Sequence, residues 1–254
     1  MLTPEEKQRY DRQIIIPGIG EIGQEKLKNA RVIIAGIGGL GSPIAFYLTA
    51  AGIGTLRIID NDRVELSNLN RQILHWDRDI GKEKAKSAHQ KLTQLNKNVT
   101  IDTINATIDE TNVSSLTTGF DVIVDAMDNL QTRYLLNKAA IEHKIPFVHG
   151  AVSGLEGRAM TIIPGKSACL GCLYHSGPPK RKFPVLGTTP AVIGAIEATE
   201  VIKYLTGIGT LITNRLLIYD GLNMKFSELN VVRNINCEHC GDSVIKINGK
   251  VAKF

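Results

Sequence analysis

A glycine-rich turn between a β-branched strand and an apolar helix constrains this chain more than any other feature. Residues 31–35 form a short β-branched run that is followed by Gly36-Ile37-Gly38-Gly39-Leu40-Gly41. These six residues match the pattern G-x-G-x-x-G in the strand–turn–helix context that the pattern requires. Such a turn lets the backbone approach a phosphate at a helix N-terminus. We therefore predict nucleotide binding at Gly36, Gly38, Gly39 and Gly41.

A carboxylate at the end of the next strand supports this prediction. Asp60 follows Gly41 by 19 residues. At this spacing an acidic residue accepts hydrogen bonds from ribose hydroxyls. The glycine pattern and Asp60 do not by themselves separate NAD from ATP, and a turn needed only for close packing of helix on strand remains the alternative.

Strands and helices alternate through the first 150 residues. This alternation predicts a doubly wound, Rossmann-like α/β fold with a mostly parallel sheet that is covered on both faces. The predicted strands are residues 31–35, 55–60, 99–104, 121–126 and 145–148, and the predicted helices are residues 21–30, 45–51, 81–96 and 130–143.

Four cysteines occur in two C-x-x-C pairs, Cys169 with Cys172 and Cys237 with Cys240. Each pair has the spacing of a zinc knuckle, and four thiolates complete a closed tetrahedral site. We predict a structural zinc clamp that does no chemistry, because a closed site has no open position. A redox dithiol is the alternative.

The pattern changes after residue 150. Strands are predicted at residues 158–163, 216–219 and 226–232, a loop at 176–190 and a long helix at 191–205. This order predicts an antiparallel C-terminal extension of the sheet. We expect residues 1–150 to form the nucleotide-binding part, and residues 151–254 to form a zinc-bearing, substrate-side segment with a flexible loop at 175–189, packed on the same sheet.

Charged residues near the predicted ligand edge favour a triphosphate. The polar segment 62–72 follows Asp60, and Lys84 follows that segment. Asp128 comes just after a buried strand. A triphosphate needs several cations and usually a magnesium ion held by a carboxylate. Arg71, Lys84 and Asp128 supply these groups, whereas a nicotinamide enzyme would give Arg71 and Lys84 no task.

Composition argues against two classes of partner. The 254 residues carry a net charge of only +5, with no long basic run and 5% aromatic residues. This composition does not favour nucleic-acid binding or a polybasic membrane contact. No stretch of 18 apolar residues and no apolar signal core occurs, so we expect a cytoplasmic protein without a membrane span.

These motifs together resemble the MoeB/ThiF/HesA family of ubiquitin-activating-enzyme-like adenylyltransferases. The resemblance covers essentially the whole chain, and the segment at residues 67–72 and the paired C-x-x-C motifs are its most specific parts. The matching motifs are Tyr10-Asp11-Arg12-Gln13, Gly39-Leu40-Gly41-Ser42-Pro43, Ala50-Ala51-Gly52-Ile53-Gly54, Ser67-Asn68-Leu69-Asn70-Arg71-Gln72, Gly81-Lys82-Glu83-Lys84-Ala85, Asp125-Ala126-Met127-Asp128-Asn129 and both cysteine pairs.

The resemblance implies a role for each matching residue. Gly39 would approach the phosphates of ATP and Asp60 the ribose. Lys84 would contact phosphate, and Asp128 with Asn129 would lie at the magnesium and phosphate end. Arg12 would be an arginine finger that reaches the ATP of the other subunit of a homodimer. The triphosphate site would be lined by Ser67, Asn68, Leu69, Asn70 and Arg71.

The implied reaction is ATP-dependent adenylation of a C-terminal glycine carboxylate. The substrate would be a ubiquitin-like sulfur carrier of the ThiS or MoaD type that ends in Gly-Gly, as used in thiamine or molybdopterin biosynthesis. The sequence does not distinguish these two routes from cysteine synthesis or tRNA thiolation. Loop 175–189 contains no further cysteine. We therefore expect adenylation only, with sulfur supplied by a separate donor protein.

Three alternatives remain open at this point. Related enzymes adenylate a tRNA base or a short peptide, so either could replace the carrier. The glycine turn also permits an NAD-dependent oxidoreductase. A zinc-clamped binding module without turnover is the third. We interpret His75 and His239 as structural or exposed, and His149 as a residue near the substrate edge.

Overall fold

The structure is a computed structural model and describes residues 1–174, 183–241, 245–247 and 250–252. Most of the predicted loop at 175–189 lies outside the described residues. The α-helices of the described part are α1 (Pro4–Arg9), α2 (Asp11–Ile14), α3 (Gly20–Asn29), α4 (Gly41–Ala51), α5 (Lys84–Leu95), α6 (Val113–Thr117), α7 (Leu130–His143), α8 (Leu170–Leu173) and α9 (Thr188–Thr206).

The strands of the described residues form one large sheet and a small hairpin. Two short 3-10 helices, Leu66–Asn68 and Asp77–Asp79, lie between β2 and α5. The strands are β1 (Arg31–Ala35), β2 (Thr55–Ile59), β3 (Thr100–Ile104), β4 (Val122–Asp125), β5 (Phe147–Ser153), β6 (Glu156–Ile162), β7 (Arg215–Asp220), β8 (Lys225–Asn230), β9 (Ile245–Ile247) and β10 (Lys250–Ala252).

Strand order confirms the predicted fold class. In the described residues the large sheet has eight strands in the order β3-β2-β1-β4-β5-β6-β7-β8. Neighbours from β3 to β5 are parallel, and neighbours from β5 to β8 are antiparallel. Strand order reverses between β1 and β4, and ligands of open α/β sheets bind at such a switch point.

Helices cover both faces of the parallel strands. Val32 and Ile34 of β1 pack in one core with residues of α4, α5 and α9. Ile33 and Ala35 point to the other face and pack in a second core with α7 and the cysteine pairs. Alternate residues of a strand face opposite sides of a sheet, and both sides are covered here. This explains why residues 32–35 are all apolar.

Four helices begin at other residues than the sequence predicts. α3 begins at Gly20, one residue early, and α4 begins at Gly41, four residues early. α5 begins at Lys84 and not at Gly81, because the Gly81 amide donates to the Val64 carbonyl (2.8 Å) and the Lys84 amide to the Asp62 carbonyl (2.9 Å). These bonds hold residues 81–83 beside the segment after β2. α9 begins at Thr188, three residues before the predicted start. Lys84 is therefore the first residue of its helix.

The predicted boundary at residue 150 falls inside β5. Strands from both sides of this position belong to the same sheet. The division into two parts stays a prediction.

None of the helices in the described part of the chain is long and apolar enough to span a bilayer.

A methyl group at Gly41 is expected to destabilise the fold. The Cβ atom of alanine would lie 2.1 Å from the Gly36 carbonyl oxygen, which is backbone and cannot move aside. We expect Gly41→Ala to lower the free energy of unfolding by about 1–3 kcal/mol, the usual cost of overpacking. Gly38→Ala is the matched control for stability, because its nearest contact would be 3.4 Å away. Urea denaturation measures both, and equal stability of the two variants would contradict this account.

Candidate active site

The glycine turn lies where the ends of three parallel strands meet. The Gly36 amide donates to the Ile59 carbonyl at the end of β2 (2.8 Å). The Ala126 amide, just after β4, donates to the Ala35 carbonyl (2.9 Å). Groups that follow β1, β2 and β4 are therefore brought to one edge of the sheet, at its switch point.

The four glycines of the turn have different surroundings. Gly36 has a positive φ of 90°, and a Cβ there would lie 2.7 Å from the Ala126 carbonyl oxygen. Gly41 packs directly on the Gly36 carbonyl. Gly38 and Gly39 instead lie near side chains: Cβ atoms would be 3.4 Å from the Gln72 amide nitrogen and 3.7 Å from Cγ of Arg71. The first pair permits close packing, and the second pair keeps the turn narrow beneath the polar segment.

Asp60 binds the backbone of the turn. Its Oδ2 accepts a hydrogen bond from the Ile37 amide, and its Oδ1 accepts one from the Asp62 amide, both at 2.8 Å. Burial raises the pKa of Asp60, whereas the Ile37 amide and the charge of Lys84 act in the opposite direction. The carboxylate predicted to meet ribose thus also fixes the conformation of the glycine turn.

The polar segment after β2 covers the turn. Asn68 is buried, and its side-chain oxygen accepts from the Glu65 amide (3.0 Å) at the start of the 3-10 helix. Arg71 Nη1 donates to the Ser67 carbonyl (2.8 Å) and to Asn70 Oδ1 (3.1 Å). These bonds hold the Arg71 guanidinium against its own segment. In this segment Gln72 lies next to Gly38, and the Arg71 side chain lies next to Gly39.

Lys84 is buried at the N-terminus of α5. Its ammonium group lies 2.7 Å from Asp62 Oδ2, and its side chain is 7% exposed. The charge of Lys84 acts on Asp60 and opposes the rise in the pKa of that carboxyl. Asp62 is a site neighbour that the sequence analysis did not single out from its segment.

Asp128 and Asn129 form the other side of the site. Asp128 is exposed, and Asn129 Nδ2 lies 3.4 Å from its Oδ1. The side-chain oxygen of Asn129 accepts from the Thr132 amide (2.9 Å), so Asn129 caps α7. Met127 precedes Asp128, and a Cβ atom added at Gly36 would lie 3.4 Å from the Met127 sulfur. Asp128 therefore follows directly on the residue that contacts the turn.

A buried cluster behind Asp128 holds this loop. Asp125 is fully buried; its Oδ1 accepts from the Met127 amide (3.0 Å), and its Oδ2 lies 2.7 Å from His149 Nδ1. Arg133 donates to the Met127 carbonyl and lies 3.4 Å from Asp125. Burial lowers the pKa of His149. The sequence analysis named Asp125 in a family motif and placed His149 near the substrate edge, but it missed Arg133. Arg133 lies one turn into α7, and this place next to the Asp128 loop was the signal that could have identified it.

The structure thus brings most of the predicted charged residues to one glycine turn. Arg71 lies beside Gly39, the charge of Lys84 acts on Asp60, and Asp128 follows Met127, whose sulfur lies next to Gly36. Arg12 differs from them: it is exposed on α2, and no hydrogen bond or ion pair of the described residues joins it to the turn.

The four cysteines form a second, separate cluster. Their sulfur atoms all lie within 4.8 Å of one another. The separations are 4.0 Å between Cys169 and Cys172, 3.7 Å between Cys169 and Cys237, and 3.5 Å between Cys172 and Cys240. A tetrahedron with zinc–sulfur bonds of about 2.3 Å has edges of about 3.8 Å, so the set fits zinc.

Electrostatics of the cluster also fit a bound cation. Burial and the neighbouring thiols raise the pKa of Cys169 above its ordinary value and that of Cys240 to about 11. A thiol that ligates a metal ion is deprotonated, because the cation balances the charge. His239 lies outside the four sulfurs and stacks on Tyr134, with ring centroids 5.2 Å apart. The four cysteines could therefore bind zinc.

Loss of one thiol is expected to release the metal. We expect about one zinc per chain in the purified protein, and Cys237→Ser to lose it and to melt at a lower temperature. His239→Asn is the matched control, since it alters the second pair without removing a sulfur. Elemental analysis and thermal denaturation measure both effects. Zinc retained in Cys237→Ser but lost in His239→Asn would contradict the four-sulfur assignment.

Close relatives match this chain over nearly its full length. It is 42% identical over 240 residues to the SAMP-activating enzyme E1 of Haloferax volcanii. This alignment covers 92% of this chain and 88% of the Haloferax protein. It is 40% identical over 251 residues to the sulfur carrier protein adenylyltransferase of Thermus thermophilus. This alignment covers 94% of this chain and 93% of the Thermus protein.

A solved structure and a family model agree with these relatives. The crystal structure of E. coli MccB with ATP matches at a TM-score of 0.83 and 25% identity, covering 92% of this chain and 75% of that one. The model of the ThiF family matches residues 10–240. The predicted resemblance is confirmed, and the chain belongs to the ThiF family.

Proposed function

We propose that this chain uses ATP to adenylate the C-terminal glycine carboxylate of a ubiquitin-like sulfur carrier protein. The observation that carries this proposal is the surroundings of one glycine turn at the switch point of the sheet. Arg71 lies beside Gly39, Asp60 binds the Ile37 amide under the charge of Lys84, and Asp128 follows the residue that contacts Gly36. The two relatives near 40% identity are named for activation of SAMP and for adenylation of a sulfur carrier protein. These names support the choice of substrate class.

ATP would bind along the edge formed by β1, β2 and β4. Gly39 at the start of α4 would approach the phosphates, where free amides and the helix dipole favour an anion. Asp60 retains acceptor capacity for a ribose hydroxyl beside its two backbone bonds. The triphosphate would extend along Ser67, Asn68, Leu69, Asn70 and Arg71.

The reaction requires charge stabilisation more than acid–base chemistry. A carboxylate oxygen attacks the α-phosphorus, an O–P bond forms, and the bond to the β-phosphate breaks to release pyrophosphate. The attacking group is already ionised at neutral pH, so no protein base is needed. Arg71 and Lys84 would stabilise negative charge as it moves to the departing pyrophosphate.

Magnesium would join this site at Asp128. The Asp128 carboxylate is exposed, and Asp128 follows the residue that contacts Gly36. An exposed carboxylate suits magnesium, a hard cation that prefers oxygen ligands and keeps several waters. When bound, the ion neutralises phosphate charge. Arg133 and Asp125 would hold the Asp128 loop in place for it.

The cysteines take no part in this proposal beyond zinc. All four belong to one cluster, so sulfur would come to the adenylated carrier from a separate donor protein. The segment 183–187 leads from the undescribed residues to α9, and a Cβ at Gly187 would lie 2.3 Å from the Asn70 carbonyl oxygen.

Two other substrates were open from the sequence. The chain also matches MccB, which has been crystallised with MccA, at 25% identity. The carrier relatives match at 40–42% with similar coverage, and this difference favours a carrier over a short peptide. A nicotinamide cofactor would leave the cations that border the turn without a task.

Removal of Arg71 is expected to abolish most of the exchange of pyrophosphate with ATP. Loss of one such cation costs on the order of 10²–10³ in rate, by analogy with lost oxyanion donors. Exchange of labelled pyrophosphate, with a carrier ending in Gly-Gly present, compares Arg71→Ala with the wild type. Arg31→Ala is the control, since Arg31 is exposed at the opposite end of β1. Full exchange in Arg71→Ala would remove Arg71 from the mechanism.

An arginine finger from a second subunit is tested by mixing two inactive variants. We propose a homodimer in which Arg12 reaches the partner's ATP. Arg12→Ala and Arg71→Ala should each be inactive alone. After unfolding and joint refolding, random pairing gives one intact site in half of the dimers, or about a quarter of wild-type exchange. No recovery, with heterodimers shown by native mass spectrometry, would place Arg12 in its own subunit's site. Full exchange by Arg12→Ala alone would place it outside any site.

A further inference from the structure

A chain of buried polar groups meets the glycine turn at the carbonyl of Ile37. It links Asp79, Lys91, Ser87 and His75 to the backbone carbonyl of Ile37. These four side chains belong to residues that are at most 9% exposed. None of them is among the residues assigned above to ATP, magnesium or zinc.

Each contact in the chain is a hydrogen bond or an ion pair. Lys91 pairs with Asp79 and donates to Ser87 Oγ at 2.8 Å. Ser87 Oγ lies 2.9 Å from His75 Nδ1, and His75 Nε2 lies 3.1 Å from the Ile37 carbonyl oxygen. Both nitrogens of a fully enclosed imidazole are therefore satisfied.

The partners fix the direction of every proton. A carbonyl oxygen only accepts, so His75 Nε2 must carry hydrogen. An ammonium group only donates, so Ser87 accepts from Lys91 and is free to donate its own hydroxyl proton to His75 Nδ1. Burial, assisted by the nearby charge of Lys91, lowers the pKa of His75 to about 4. The imidazole is neutral at pH 7, in a single tautomer.

This tautomer has a consequence for the turn. In a planar trans peptide the carbonyl and the following N–H point in opposite directions. When His75 holds the Ile37 carbonyl, the Gly38 N–H is directed away from His75. Asp60 accepts the Ile37 amide at the same time (2.8 Å). The two peptide groups on either side of Ile37 are thus both held, in a stretch where Gly38 has no side chain to restrict the backbone.

We propose that His75 is a positioning residue for phosphate binding, and that Ser87 and Lys91 hold it in the tautomer that donates to the Ile37 carbonyl. The hydrogen bond from His75 to the Ile37 carbonyl orients the Gly38 N–H toward the phosphates of the nucleotide. This inference rests on the proposed function for the identity of the nucleotide, but its geometry involves only the chain itself.

The tautomer is measured first, in the full-length protein without nucleotide. Two-bond ¹H–¹⁵N spectra distinguish Nε2–H from Nδ1–H imidazole, and His75→Gln identifies the His75 signals. The wild type should show the Nε2–H form. Ser87→Ala should show it less completely, because the donor to Nδ1 is gone while the Ile37 carbonyl still accepts from Nε2. Thr93→Ala removes an exposed hydroxyl from the same helix and should leave the spectrum unchanged. An Nδ1–H signal for wild-type His75 would overturn the proposal.

Nucleotide affinity is measured next, by titration calorimetry with a non-hydrolysable ATP analogue and magnesium. His75→Leu should bind about tenfold more weakly, the effect of one lost hydrogen bond. His75→Gln should recover part of the loss, because its amide can donate to the carbonyl. In pyrophosphate exchange the KM for ATP should rise more than kcat falls, with the KM for the carrier unchanged. Thermal melting identifies any variant that does not fold.

The outcomes separate this inference from the proposed function. Wild-type affinity in folded His75→Leu and Ser87→Ala would overturn the role of His75, whatever the exchange activity. Weaker analogue binding in both variants would support it. If the wild type bound the analogue but exchanged no pyrophosphate with any carrier, the proposed function would fail while the positioning role stood.

Discussion

Contact between two glycines without intervening side chains is the constraint on which the rest of this structure depends. Gly41 rests on the Gly36 carbonyl, so α4 starts almost on top of the end of β1. This closeness leaves the amides at the start of α4 facing the switch point of the sheet. The loop after β4 packs against Gly36 from the other side, and Arg71 lies beside Gly39. A side chain at Gly36 or Gly41 would separate these groups.

The turn itself is held by its surroundings and not by its own residues. Asp60 takes the amide of Ile37 and His75 lies against the carbonyl of Ile37. Arg133 and Asp125 do the same for Met127, the residue before Asp128. In both places a buried ionic or polar group fixes a backbone group next to a site residue. Preorganised groups of this kind lower the cost of binding and of charge development.

Much of the fold followed from local sequence pattern. The β-branched run at residues 31–35, the glycine pattern and Asp60 define a βαβ unit. Each C-x-x-C pair is a local signal with the spacing of a metal site. The start of α5 at Lys84 was not predictable in this way. It depends on backbone bonds from residues 81 and 84 to residues 64 and 62, which no local pattern contains.

Partners distant in sequence account for the parts of the site that the sequence did not reveal. His75 was interpreted as structural or exposed; it is buried, and its link to Ile37 spans 38 residues. Glu197 shows the same dependence on tertiary packing outside the site described above. It is fully buried beside Gly150, its carboxyl has no hydrogen-bond partner in the described part of the chain, and burial raises its pKa well above the ordinary value. Neither environment can be deduced from neighbouring residues, since each is made by tertiary packing.

The central claim is that one glycine turn gathers three phosphates between Arg71, Lys84 and Asp128. A crystal structure of the protein with a non-hydrolysable ATP analogue and magnesium tests it most directly. We expect the phosphates at the Gly38 and Gly39 amides, Arg71 and Lys84 on their oxygens, and the metal between Asp128 and the phosphates. Phosphates bound away from the turn, or a turn occupied while Arg71 and Lys84 keep their contacts with Ser67 and Asp62, would contradict the account.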